Sequence, residues 1–366
     1  MRISVLIPVY REPKFLADIL AKLLKNTYPD KEILVIIDGQ TNREIEQALE
    51  PYRNKVRVYE NGARRGKANS LNFLSEQATG EVLLFLDNDV ELPEEENFLS
   101  QLSQEIAGYD LLELSKEAIA QNFFSRITSY DFLSGSILCL LVSRIFRKSL
   151  FLSGAAFAIR KETFQQLGKF SRVISEDWDL MLKAFRARKS YWFSRRLKVK
   201  TMTPTNFEEW LQQRNRWALG MSYWWQEILK DIRLYLKSLP IIMNILLFAF
   251  FPALVGLLLL RIHFFSWILP LLILISQHLT AHVGVSSGLY LLSLIGLLLQ
   301  GAGPFLVSLV ISVTTFFIFS RLLKFRFSLW EYLLYSLGYF PFLLFFYILY
   351  FVLGKLLQPG LDWQME

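Results

Sequence analysis

The chain holds 366 residues, of which 53% are hydrophobic, 20% charged and 15% aromatic, with a formal net charge of +7 and a mean hydropathy of +0.31. So much apolar and aromatic material excludes a disordered chain, and so few charges exclude an ordinary soluble globule. Of the 83 residues between Lys237 and Arg321, Arg261 alone is Asp, Glu, Lys or Arg, so a charged head precedes a stretch with the composition of a membrane domain.

In chain order, apolar runs at Ile3–Val9, Glu32–Ile37, Val56–Tyr59 and Val82–Leu86 read as buried strands. Between them Phe15–Leu24, Glu44–Leu49 and Lys67–Ala78 carry apolar residues at helical spacing. Strand–helix alternation with short connections predicts an α/β head with a mostly parallel sheet covered on both faces. Ligands in such folds sit beyond the carboxyl ends of the strands, where Tyr10, Asp38 and Asp87 stand.

Farther on, Phe132–Phe146 is apolar but too short to span, and Arg144 interrupts it. It is expected to lie on the sheet or on a membrane surface. From Phe207 to Leu239 a basic amphipathic stretch repeats Trp210, Trp217 and Trp224 at seven-residue spacing. That stripe is expected to place its indoles in a headgroup layer. Pro240–Leu260 and Tyr332–Leu353 are each long enough to cross a bilayer, and Phe264–Ser320, broken at Gln277–Gly288 and Gly301–Pro304, holds either one crossing plus a re-entrant piece or three short crossings. With the basic loop Arg321–Arg326 and the head both on the cytoplasmic side, the count comes to three or five crossings, with four as the rival. The expected organisation is a head at 1–206, interfacial helices at 207–238, a transmembrane domain at 239–354 and a tail at 355–366.

Lone Cys139 excludes an internal disulfide framework and a zinc site of several cysteines. Residues 1–237 hold 35 basic and 30 acidic residues, spread too widely for a nucleic-acid patch. Anionic headgroups or an anionic small substrate suit that surplus better. Met1–Tyr10 lacks the pattern of a secretory leader, because its apolar run is short and meets Arg11 and Glu12.

Several chemical motifs fail on inspection. Gly62–Lys67 is one residue short of a P-loop, and Ala68 stands where Ser or Thr is needed. No glycine-rich turn follows the first strand, which argues against a dinucleotide site. His278 and His282 are spaced i, i+4 without the glutamate of a metalloprotease helix, and read as polar packing between membrane helices. Leu92 stands where an EF-hand loop needs glycine.

Others survive. Asp87-Asn88-Asp89 after a strand can share a hard divalent cation, although the same residues make an ordinary solvated turn. Ser175-Glu176-Asp177 offers a general base, or merely a capped and acidic helix start. Gln213-Arg214-Asn215-Arg216-Trp217 offers two cations for phosphate oxygens and an aromatic face, or an interfacial anchor.

Taken in order, Ile7-Pro8-Val9-Tyr10-Arg11-Glu12, Asp38-Gly39, Gly66–Asn72, Asp87-Asn88-Asp89, Ser153–Phe157, Glu176-Asp177 and Gln213–Trp217 are far more specific than any one of them. The set resembles the family-2 inverting glycosyltransferases of the GT-A (Rossmann-like) fold. It is closest in kind to the membrane-bound branch of cellulose, hyaluronan and ceramide glycosyltransferases, and it covers roughly residues 1–230. The resemblance implies that Pro8, Val9, Tyr10, Glu12 and Asp38 line the nucleotide, with Lys67 nearby. It implies that Asp87, Asn88 and Asp89 meet the donor, with Asp87 and Asp89 holding Mg2+ or Mn2+ on its diphosphate. Asp177 would be the catalytic base, and Arg214 and Arg216 would reach the donor. Glu176, Gln213, Trp217 and Gly154 would stand on the acceptor side. One departure is Ile37, where the family often has an acid before Asp38.

With its apolar C-terminal part and tryptophan stripe, the chain is expected from this resemblance to be a membrane-integrated enzyme that moves a sugar from a nucleotide-diphosphate sugar, UDP before GDP by the resemblance alone, to a lipid or lipid-linked acceptor. Membrane lipids are its surroundings and nucleic acid is not a partner. The expected place is the cell membrane, with the catalytic head on the cytoplasmic side. A processive polysaccharide synthase is the near alternative. A scaffold or transporter with a nucleotide-binding head is the remote one, disfavoured because the metal pair and the base are both intact.

Overall fold

A computed structural model of the chain describes residues 1–230 and 306–354. The expected crossing Pro240–Leu260, most of Phe264–Ser320, Arg261, His278, His282 and the tail at 355–366 lie outside the described residues.

The head is built on one eight-stranded sheet in the order β3-β2-β1-β4-β7-β6-β8-β5. Strands β1 (Ile3–Val9), β2 (Lys31–Ile37), β3 (Arg57–Glu60) and β4 (Val82–Leu86) run parallel. They are joined by helices α1 (Leu16–Lys25), α2 (Arg43–Leu49) and α3 (Lys67–Gln77). Every residue of β4 and all but one of β1 are buried, as a strand covered on both faces requires. The described strands and helices of this half fall within a residue or so of the expected ones.

The second half was less visible in the sequence. A short β5 (Val90–Glu91) and helix α4 (Phe98–Ile106) lead to β6 (Leu111–Ile119). Strand β7 (Ala156–Arg160) runs antiparallel to both β4 and β6, and β8 (Tyr191–Met202) runs parallel to β6. Helices α6 (Lys161–Gln166) and α7 (Glu176–Arg186) lie between β7 and β8. Because β7 is inserted antiparallel, its first residue Ala156 pairs with Leu86, the last of β4. The loop before β7 therefore opens on the same sheet edge as the loops after β1, β2 and β4.

Helix α5 runs over Phe123–Phe146, longer than the expected Phe132–Phe146. Its start is fixed by a reciprocal cap between Asn122 and Ser125. It packs against β6 and β8, so of the two places expected for this segment it takes the sheet. Helix α8 (Phe207–Lys230) follows β8. Later come α9 (Leu306–Leu323), α10 (Leu329–Leu334), a π-helical turn at Tyr335–Tyr339 and α11 (Phe340–Gly354).

Tyr339 and α11 belong to the same compact unit as the head, and the described residues from α9 to Gly338 belong to another. By length and composition, α5, α9 and the run Leu329–Leu349 are each able to cross a membrane. In α5, 56% of the apolar window is buried inside the protein, against 28% and 22% in the other two.

Candidate active site

The site grows from the carboxyl edge of the parallel strands. Asp38 follows β2, is 4% exposed, and spends both carboxylate oxygens on the chain across the edge. Oδ1 accepts from the Arg65 N–H at 2.8 Å and from Asn61 Nδ2 at 2.9 Å, while Oδ2 accepts from the Gly66 N–H at 2.9 Å. Gly66 has φ +87°, a left-handed value that favours glycine, and it starts α3. Asp38 thereby sets where Lys67, the first residue of α3, projects. The resemblance assigns Asp38 to the nucleotide; its role in holding this loop went unread.

Lys67 links two carboxylate positions. Its Nζ lies 2.7 Å from Asp87 Oδ1 and 2.8 Å from Asp87 Oδ2, and 3.7 Å from Glu176 Oε1. Burial would lower the Lys67 pKa, but Asp87 and Glu176 outweigh it and hold the ammonium well above its usual value. Asp89 stands beside Asp87, and its Oδ2 is 3.5 Å from Lys14 Nζ. Burial and the neighbouring Asp87 push the Asp89 carboxyl up, against the pull of Lys14 and Lys67. Lys14 was not anticipated as part of the site.

The turn carrying these acids is tied to the loop after β1. Asn88 Nδ2 donates to the Glu12 carbonyl at 2.6 Å, and the Asn88 carbonyl accepts from the Phe15 N–H at 2.9 Å. Pro8 and Val9 end β1, and the Val9 carbonyl accepts the Asp38 N–H at 2.8 Å. Tyr10 is exposed at the rim, with the Arg64 and Arg11 guanidinium carbons 4.5 and 4.9 Å from its ring centre.

Asp177 stands one residue after Glu176 in the first turn of α7. Its Oδ2 accepts from the Gly154 N–H at 2.7 Å and its Oδ1 from the Trp178 N–H at 2.9 Å. A Cβ at Gly154 would lie 2.9 Å from Asp177 Oδ2 and 3.1 Å from its Cβ, so only glycine admits this approach. Burial and Glu176 push the Asp177 carboxyl up to about 7, while Lys67 and the two N–H donors hold it down. The loop before it is braced from within the sheet. Glu113 of β6 accepts from the Ser153 N–H at 3.3 Å, from Lys116 Nζ at 2.8 Å and from the Tyr191 hydroxyl at 2.6 Å. Ser175 precedes α7 and makes no side-chain cap, so of the alternative reading as a capped and acidic helix start only the acidic first turn is present.

The structure thus brings Lys67, Asp87, Asp89, Glu176, Asp177 and Gly154 into one row. The motif at 213–217 divides. Arg216 is exposed and Gln213 and Trp217 are partly buried, whereas Arg214 is 1% exposed and donates to Asp131 Oδ2 at 2.6 Å. The tryptophan stripe also faces inward. Trp210 and Trp224 are 1% and 4% exposed, and their indole N–H groups donate to the Tyr339 hydroxyl and the Leu150 carbonyl. Seven-residue spacing correctly gives one helix face, but that face packs on protein.

A family model described as glycosyl transferase family 2 matches residues 4–168. The glycosyltransferase GlyG of Streptococcus pneumoniae is 27% identical over 183 residues, 45% of this chain and 58% of GlyG. A poly-β-1,6-N-acetyl-D-glucosamine synthase of Staphylococcus epidermidis is 34% identical over 97 residues, 26% of this chain and 24% of the synthase. The chain thus spans less than two thirds of either relative. Among solved structures, a mannosyltransferase from Pyrobaculum calidifontis in complex with GDP-Man and Mn2+ is similar with a TM-score of 0.51 and 19% identity. The likeness covers 88% of this chain and 86% of that one, and is one of fold. Residues 4–168 are thus similar to glycosyl transferase family 2, and the eight-stranded α/β sheet has a GT-A-like, Rossmann-type fold.

Proposed function

We propose that the protein is an inverting glycosyltransferase that moves a sugar from a nucleotide-diphosphate sugar, UDP before GDP, to the hydroxyl of a lipid or lipid-linked acceptor. The observation that carries this reading is the row from Asp89 and Asp87 through Lys67 to Glu176 and Asp177. It sets an anion-rich end suited to a metal and a raised carboxylate apart on one sheet edge.

The two aspartates fit a hard divalent cation. They stand side by side with lysine ammoniums as their neutralising partners, and burial together with Asp87 holds the Asp89 carboxyl above its ordinary value. Among the described residues no third acidic or imidazole side chain joins them. That donor set suits Mg2+ or Mn2+ completed by phosphate oxygens rather than by a protein cage. Such an ion, when bound, supplies charge neutralisation for the leaving diphosphate.

The chain's own residues do the rest. Tyr10, with Pro8, Val9 and Glu12 behind it, offers an exposed ring for the base. Lys67 and Arg216 add positive charge for the phosphates. Asp177 takes the proton from the acceptor hydroxyl as its oxygen attacks the anomeric carbon in line with the departing diphosphate, which inverts the configuration. A base near neutrality is matched to that task.

The membrane reading rests on α9 and the run Leu329–Leu349, both long and apolar, and on an acceptor whose tail keeps it in a bilayer. The reading places the head at the cytoplasmic face of the cell membrane. A processive polysaccharide synthase is the second reading, favoured by the likeness to the poly-N-acetylglucosamine synthase. The test offers purified protein in lipid nanodiscs a panel of UDP- and GDP-sugars with Mg2+ or Mn2+, with and without membrane lipid extract, and sizes the product. Lipid-dependent transfer of a single sugar supports the main reading, a long polymer supports the second, and no transfer from any donor opposes both.

A further inference from the structure

Arg214 belongs to a motif whose two arginines the resemblance sends to the donor, yet the structure commits it elsewhere. Its guanidinium is buried where α5, α8 and α11 meet. Arg214 Nη2 donates to Asp131 Oδ2 at 2.6 Å, and the Tyr339 hydroxyl donates to the same oxygen at 2.7 Å. The Trp210 indole N–H donates to the Tyr339 hydroxyl at 2.8 Å. Tyr347 also bonds to the Arg214 guanidinium, whose carbon lies 4.2 Å from the Trp217 ring centre. Trp210 in turn packs on Phe342 and Phe346, with ring centres 5.8 and 5.7 Å away. One carboxylate and one guanidinium thus pin Tyr339 and the helix α11 after it to the head.

The other half of α8 grips the two segments that hold Asp177. Gly220 lies so close to Ser175 that a Cβ there would fall 1.8 Å from its Oγ. Trp224 stacks on Phe151 at 4.7 Å, meets Trp178 edge-on at 5.8 Å, and donates to the Leu150 carbonyl at 3.0 Å. Leu150 and Phe151 lead into Gly154, and Ser175 and Trp178 flank Asp177. Helix α8 therefore carries at one end the lock to α11 and at the other the setting of the carboxylate.

We propose that Arg214 is a positioning residue, a clamp that fixes Tyr339 and the helix α11 that follows it to α8 through Asp131, so that α8 holds Asp177 in place. A buried guanidinium committed to a carboxylate and set against tryptophan suits a lock, because that cation is closed to a ligand that enters from solvent. Breaking it takes the cation from a carboxylate held between helices, which is costly there. The proposal rests on the reading of Asp177 as the base.

The experiment uses the full chain in lipid nanodiscs and the variants Arg214→Lys and Tyr339→Phe, the second removing only a hydroxyl. Binding of UDP and of GDP in the presence of Mn2+ is measured by calorimetry, and kcat is measured against pH with the active donor. The expected result is nucleotide affinity equal to wild type in both variants, with kcat lowered by up to about 10²-fold and the midpoint of the pH profile displaced. Arg214→Lys weakening nucleotide binding while Tyr339→Phe behaves as wild type would overturn the proposal, as would two variants identical to wild type. If the wild-type protein itself turns over no donor, the function reading fails and the clamp is judged by thermal unfolding. A double variant whose loss is smaller than the sum of the single losses then supports the shared cluster, and strictly additive losses overturn it.

Discussion

At Asp177 two sets of forces oppose one another. Burial and Glu176 favour the protonated carboxyl, while Lys67 and the N–H groups of Gly154 and Trp178 favour the carboxylate, and the balance lies at about 7. A general base so placed gives a rate that rises with pH through neutrality. Lys67→Met removes a cation that lowers this pKa, so the rising limb of the pH–rate profile moves to higher pH. A limb that stays in place or moves down would contradict the assigned cause.

The same shift has a sign in stability. The folded protein binds this proton more tightly than the unfolded chain, whose carboxyl titrates near 3.8, so the carboxyl costs stability as pH rises through about 7. Asp177→Asn is therefore expected to melt above wild type at pH 8, with the gap closing toward pH 4, as read by thermal unfolding at several pH values. Gly154→Ala drives a methyl into the Asp177 carboxylate. It is expected to lower kcat by about tenfold or more, with donor affinity retained, because displacement of a reacting group is costly even at sub-ångström scale.

Among the elements, α8 shows what periodicity tells and what it leaves out. Its seven-residue tryptophan spacing marks one face of a helix, and the structure has that face. The sequence does not say what covers it, since a bilayer and a layer of aromatic side chains both accept indoles whose N–H has a partner. The partner of Arg214 was equally invisible. Asp131 lies among serines and apolar residues of α5, with nothing in its neighbourhood to mark it. Strand β6 escaped because its buried positions include Glu113, Ser115 and Lys116, which read as surface until Tyr191 and Ser153 are placed beside them. By contrast β4 is apolar throughout and β1 has Ser4 as its one polar residue, so both stood out.

The site was legible where it follows such strands. Asp38 and Asp87 could be placed at one edge before any coordinates, whereas Lys14, Asn61 and Gly220 could not. Packing gives Gly220 its own prediction. Gly220→Val sets branched carbons against Ser175 and is expected to destabilise the head by about 1–3 kcal/mol, measured by thermal unfolding. Ser175→Ala in the same chain should recover part of that loss.

For the whole molecule, the antiparallel insertion of β7 gathers segments distant in sequence onto one sheet edge. Asp87 comes from the end of β4, Gly154 from the loop before β7 and Asp177 from the start of α7. The donor end and the base end of the row are thereby separable by experiment. Asp89→Asn, or chelation of divalent metal by EDTA, is expected to weaken donor binding, with calorimetry as the measurement. An affinity unchanged by both would remove the metal from the account.

The most direct test of the central claim, that Asp177 is the base and the aspartate pair the donor site, pairs two readings on Asp177→Asn in lipid nanodiscs: donor affinity and turnover. The account predicts donor affinity close to wild type, with turnover lowered by about 10²–10⁴-fold at every pH tested. Turnover near the wild-type rate, or a loss of activity explained wholly by lost donor binding, would contradict it.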